Sequence, residues 1–234
     1  MSEKFTIIKS TDENKTKESN HIYRLEKVKE IWKRQFFDTV MKYTGECDTL
    51  YDLPQDELAK VGLVGIKYFC SCLDVSKEKK KLGIDEPKTL EENQYHFQLI
   101  DSIFSVLSCL TLRNFVNTFP VDKIYNGAKW DCKDYFYTME VLSKMDWDKP
   151  IGRDKFFEFL WDYENKDLRN VCIDYMCSMN AIYRSQTGKG IAEQWCDDMG
   201  IPTCTMDRET GIIKDNKTGN TSKQKKTSHI RIVK

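Results

Sequence analysis

Ser185-Gln-Thr-Gly-Lys-Gly190 is the stretch closest to phosphate chemistry, because a Gly-Lys pair beside a helix can offer backbone amides and a lysine to phosphate oxygens. Such a loop also needs a preceding strand, a glycine five residues before the second one, and a Ser or Thr after the lysine to hold magnesium. Here Tyr183 takes the early glycine position and Gly190 the hydroxyl position. The segment therefore reads as a helix C-terminus closed by Gly188.

Nine cysteines and three histidines could supply metal ligands. Zinc sites draw on pairs such as Cys-x-x-Cys, and the chain has no such pair and no histidine near one. Cys70 and Cys72 would point to opposite sides of a helix, and Cys172 and Cys177 hardly share a face, so they read as core thiols. The odd number and loose spacing suit reduced thiols in the cytoplasm better than a disulfide framework.

Asp162 with Glu164, Asp197 with Asp198, and Asp131 with Asp134 could pair as general acid and base. In a chain with 37 acidic residues such pairs arise by chance, and solvated helix faces are the default reading. Asp101 is different, since it interrupts the apolar run LIDSIFSVLSCL on a helix whose preceding turn carries His96. A buried carboxylate there needs a partner, and a structural hydrogen bond or a place at the stripe edge is expected before a catalytic role. No catalytic, cofactor-binding or metal-ligating residue is assigned, and no cofactor is expected.

The formal net charge of zero conceals an asymmetry. Lys214 to Lys234 holds seven basic residues against Asp215 alone, a net +6, which leaves the preceding residues at −6. A basic tail on an acidic body can bind phosphates or the acidic face of a neighbouring copy. The tail carries no aromatic stacking platform for single-stranded nucleic acid.

Helical spacing dominates the elements that must position these residues. Asn20 can cap a helix striped by Ile22, Leu25, Val28, Trp32, Phe36, Val40 and Tyr43, ending near Gly45. The polar Ser10 to Asn20 before it reads as a mobile linker. A second helix follows Pro54, with Gly62 and Gly65 either weakening it or permitting close packing, and Lys77 to Lys88 reads as a loop. Thr89-Leu-Glu-Glu92 is a capping box that opens a long helix to about Asn117. Further helices are expected after Pro120, over Asp131 to Met145, after Gly152, from Asp167 to Gly188 and from Ile191 to Met199.

Beyond Pro202 the period changes. Asp207-x-x-Thr-Gly211 and Asp215-x-x-Thr-Gly219 repeat one turn motif around the β-prone Ile212 and Ile213, which predicts a hairpin or small meander. Both ends of the chain are β-prone, FTII at Phe5 to Ile8 and HIRIV at His229 to Val233. No apolar run reaches the roughly 18 residues a bilayer crossing needs, and the N-terminus does not read as a secretory signal.

The fold class expected is mainly α: an extended N-terminal arm over 1–19, a helical body over 20–200, and a β-hairpin with a basic arm over 201–234. An isolated hairpin is marginal alone, so the β-prone pieces are expected to find a sheet edge, in each other or in another subunit. The expected function is non-enzymatic: a structural protein assembling with copies of itself and other assembly proteins, such as a virion ring or head-to-tail connector, in the cytoplasm or in a virion. The interaction residues would be Phe5, Ile7, Ile8, Ile212, Ile213, Lys223, Lys225, Lys226, Ile230, Arg231, Ile232 and Lys234. The alternative is a regulatory protein that binds nucleic acid through the basic tail, with no membrane partner in either case.

Overall fold

The structure is a computed structural model and describes residues 9–43, 50–122, 132–202, 204–206, 212–215 and 218–223. The fold is mainly helical with a small antiparallel sheet near the C-terminus, as expected from the periodicity. The chain divides into two compact units, Met1–Ser178 and Met179–Lys234.

Helix α1 runs Lys9–Tyr43 and α2 runs Gln55–Lys81. They lie antiparallel, since the Tyr43 hydroxyl donates to Glu57 at one end and Lys79 pairs with Glu26 at 2.9 Å toward the other. Two expectations need correction here. Ser10 to Asn20 is helical rather than a linker, a segment with no Gly or Pro to stop a helix that continues into the amphipathic stripe. Lys77 to Lys81 likewise continues α2, where a basic last turn suits the helix dipole. Gly83, at φ +69°, supplies the stop: its N–H donates to Lys80 O and that of Ile84 to Lys79 O, a Schellman cap.

Gly62 and Gly65 serve close packing. A Cβ on Gly62 would lie 2.2 Å from Leu107 Cδ2, and one on Gly65 2.6 Å from Ile103 Cδ1. The two glycines thus let α2 approach α3, Leu90–Ser108. The capping box forms as read, with Glu92 N–H donating to Thr89 Oγ1 at 3.1 Å and Thr89 N–H to Glu92 Oε2 at 2.7 Å.

The expected helix to Asn117 is interrupted. After α3 the chain breaks and restarts as α4, Leu112–Thr118, with Thr111 as N-cap. Gln55 fills the break by donating to Cys109 O at 3.0 Å and accepting from Thr111 N–H at 2.8 Å. A returning extended segment completes it, with Ile151 N–H on Leu110 O and Leu112 N–H on Lys149 O. Four further helices follow: α5 Cys132–Ser143, α6 Arg153–Asp162, α7 Lys166–Thr187 and α8 Ile191–Asp198. The helix expected directly after Pro120 falls largely outside the described residues.

The core of the first unit is a continuous cluster built around Phe69, Phe104, Phe115, Phe156 and Tyr163. Phe115 meets Phe156, Phe159 and Tyr163 edge-on, at ring centroids 5.3 to 5.9 Å apart. Such edge-to-face pairs add about 0.5–1.5 kcal/mol each beyond buried area.

In the second unit, β1 Cys204–Met206, β2 Ile212–Asp215 and β3 Thr221–Lys223 form an antiparallel meander in the order β1-β2-β3. Met206 pairs with Ile213, and Ile213 in turn with Ser222. The second Asp-x-x-Thr-Gly is the β2–β3 turn: Asp215 accepts from Thr218 N–H at 2.8 Å through its carboxylate and from Gly219 N–H at 2.9 Å through its carbonyl. Gly219 sits at φ +71°, the left-handed conformation the motif needs. The first copy, Asp207 to Gly211, lies outside the described residues.

Candidate functional site

His96 and Asp101 both lie on α3, five residues apart, and the structure sends them to different partners. His96 Nδ1 is 3.3 Å from Oδ2 of Asp174 on α7 and 3.1 Å from Lys88 Nζ, while Lys88 also donates to Asp174 Oδ1 at 2.6 Å. Asp174 is buried, its side chain 7% exposed. Burial by itself would raise its pKa, but the hydrogen bonds from His96 and Lys88 outweigh that and hold it below the ordinary carboxylate value. The edge of the imidazole meets Phe69 at 5.4 Å between centroids, which fixes the ring against the core.

Asp101 takes the hydroxyl of Tyr175 at 2.9 Å and the Arg153 guanidinium at 2.7 Å. The partner its position demanded is therefore a structural one, joining α3 to α6 and α7. The Tyr175 hydroxyl has its pKa raised, first by burial and then by its hydrogen bond to Asp101. Asp174 and Lys88, which carry the His96 cluster, were not singled out from sequence. No local signal marks them, since they stand 78 and 8 residues from His96.

The acid pairs separate as well. Glu164 is buried and bound to Arg169 at 2.6 Å, Asp197 pairs with Lys189 at 2.6 Å, and Asp198 accepts from Gln194 at 2.8 Å. Asp131 lies outside the described residues. At the Gly-Lys segment, Gly188 at φ +79° donates to Arg184 O and ends α7, as read. Glu193 Oε2 accepts from Gly190 N–H and from Arg184, both at 2.7 Å. A carboxylate thus already takes the amide that a phosphate loop would offer.

Cys70, Cys72 and Cys109 pack against the core and Cys172 within it. Burial pushes the Cys70 thiol up to about 12 and raises those of Cys72 and Cys172. Cys177 on α7 and Cys204 on β1 depart from the core reading and are exposed.

A cleft of about 530 Å³ opens between α1, α2, the 84–88 loop and the start of α3. Tyr68 and Cys72 line it beside Lys29, Lys33, Lys79, Lys88 and His96. A smaller groove of about 290 Å³ lies along Trp161, Cys172 and Ile173.

The second unit has no apolar core among its described residues, where Gly190 alone is buried. Trp195 and Met199, one turn apart on and just after α8, are 57% and 63% exposed, and Ile201 is exposed beside them. Of the expected interaction residues, Ile212 is exposed and Ile213 half-buried on β2, and Lys223 ends β3. Phe5, Ile7, Ile8, Lys225, Lys226, Ile230, Arg231, Ile232 and Lys234 lie outside the described residues. No described helix is long and apolar enough to cross a membrane. Compared with family models, curated proteins and solved structures, the chain matches none.

Proposed function

We propose that this is a non-enzymatic assembly protein that joins copies of itself, or other assembly proteins, through the unit Met179–Lys234. The supporting observation is that this unit has an amphipathic helix and a three-stranded meander but buries none of its described apolar side chains. Exposed aromatic and Met side chains of this kind are the usual anchors of protein interfaces. Among the described residues β3 is an outer strand of the sheet, and a sheet edge is a template for a strand from another chain. A ring or connector of a larger particle, such as a viral head-to-tail adaptor, suits this design, with the protein in a reducing cytoplasm or within a virion.

Light scattering on the full chain at high concentration and low salt tests the reading. Oligomers that the W195S/M199S variant loses would support it. A wild-type protein that stays monomeric throughout would remove self-assembly.

The +6 charge over Lys214 to Lys234 favours a second reading, a regulatory protein that binds nucleic acid through its tail. A salt-sensitive gel shift abolished by deleting Thr221 to Lys234 would support it, and no shift at low salt would exclude it.

A further inference from the structure

We propose that the cleft between α1, α2 and the start of α3 binds a small phosphorylated molecule. Four separate segments direct basic groups to it: Lys29 and Lys33 from α1, Lys79 from α2, Lys88 from the loop and His96 from α3. Lys79 and Lys88 already hold carboxylates, Glu26 at 2.9 Å and Asp174 at 2.6 Å. Lys29 and Lys33 have no ion-pair partner among the described residues, although like charges one helical turn apart repel each other. An anion between them removes that repulsion, and a lysine ammonium is well suited to phosphate.

Two of the four acids that line the cleft are engaged in hydrogen bonds. Glu92 closes the cap of α3 through Thr89 N–H, and Asp85 accepts from the Ser76 hydroxyl at 3.2 Å. Glu30 and Glu86 are exposed acids that also line the cleft, so an anion must seat on the lysine side, away from them. His96 spends Nδ1 on Asp174 and Lys88, and its Nε2 has no partner among the described residues.

A volume of about 530 Å³ holds a molecule of metabolite or nucleotide size. A nucleic-acid strand would need a longer track of basic and aromatic groups. The site involves binding alone and is independent of the assembly reading.

Calorimetric titration of the full-length protein with inorganic pyrophosphate, at constant ionic strength, tests the proposal. One saturable site with Kd below about 1 mM is expected, weakened about tenfold or more by K29Q/K33Q and strengthened by E86Q. Thermal unfolding of both variants should match the wild type, since all three side chains lie at the surface of the cleft. The His96 ring resonances should shift on addition of pyrophosphate. Absence of saturable binding overturns the proposal. So does binding that K29Q/K33Q leaves intact, or binding weakened equally by K225Q/K226Q, which would assign it to the tail.

Discussion

Lys88 Nζ lies 2.6 Å from Oδ1 of Asp174, and this ion pair ties the loop before α3 to the middle of α7 across 86 residues of sequence. Removing one partner of a buried pair typically costs about 3–5 kcal/mol, because the other charge is left uncompensated. The Lys88 side chain is 31% exposed and His96 remains beside Asp174, so K88M is expected to cost about 2 kcal/mol, measured by urea unfolding. Adding D174N should recover part of that loss. A double variant less stable than K88M would show that Asp174 is not the source of the cost.

The same carboxylate makes stability depend on pH. Its folded pKa is held below the ordinary value of 3.8, so its contribution is fully present above that value and is lost as pH falls through the lower folded value. Wild type should be more stable than D174N at pH 7, and the difference should narrow below about pH 4. Urea unfolding at pH 7, 5, 4 and 3 measures it, and a gap that stays constant into acid would contradict the assigned interaction.

Helical glycines usually gain about 1 kcal/mol on replacement by alanine. At Gly65 a new Cβ would meet Ile103 at 2.6 Å and the Phe36 ring at 3.2 Å, and at Gly62 it would meet Leu107 at 2.2 Å. Overpacking of a filled core costs about 1–3 kcal/mol. Both G62A and G65A are therefore expected to destabilise, by up to about 2 kcal/mol net. A rise in melting temperature for either variant would mean that α2 and α3 do not pack as closely as described.

The thiols should differ sharply in reactivity. Cys177 and Cys204 are exposed, whereas Cys70 is half-buried with its thiol pushed up to about 12, first by burial and then by nearby Asp167. Brief maleimide labelling at pH 8 followed by peptide mass spectrometry should modify Cys177 and Cys204 well before Cys70, since the thiolate is the reactive form. Early labelling of Cys70 would show that the α2 surface opens readily.

Much of the fold was legible because its signals are local. The Thr89–Glu92 capping box, the ends at Gly188 and Gly200 and the turn from Asp215 to Gly219 each close within a few residues, through bonds the sequence spacing dictates. Helix ends without such a mark were read wrongly. Nothing local separates the helical Ser10 to Asn20 or Lys77 to Lys81 from polar loops, because both runs lack apolar residues and so show no helical stripe.

The candidate site was less legible. Asp101 stands out because a charge in an apolar run is visible in one dimension, and at the half-buried edge of that run it takes partners. That Arg153 and Tyr175 would serve it, while His96 would turn to Asp174 and Lys88, depends on how α3 meets α6 and α7.

The sequence by itself determined a mainly helical chain, its period change after Pro202 and its basic end, since helix period, capping and charge are properties of neighbours along the chain. Only the tertiary structure decided the break at Cys109 to Thr111, where Gln55 and the 149–152 segment satisfy backbone groups an uninterrupted helix would have bonded internally. The same holds for the partners of His96 and Asp101, because a buried polar group takes whatever donor or acceptor the packing brings within about 3 Å, however distant in sequence.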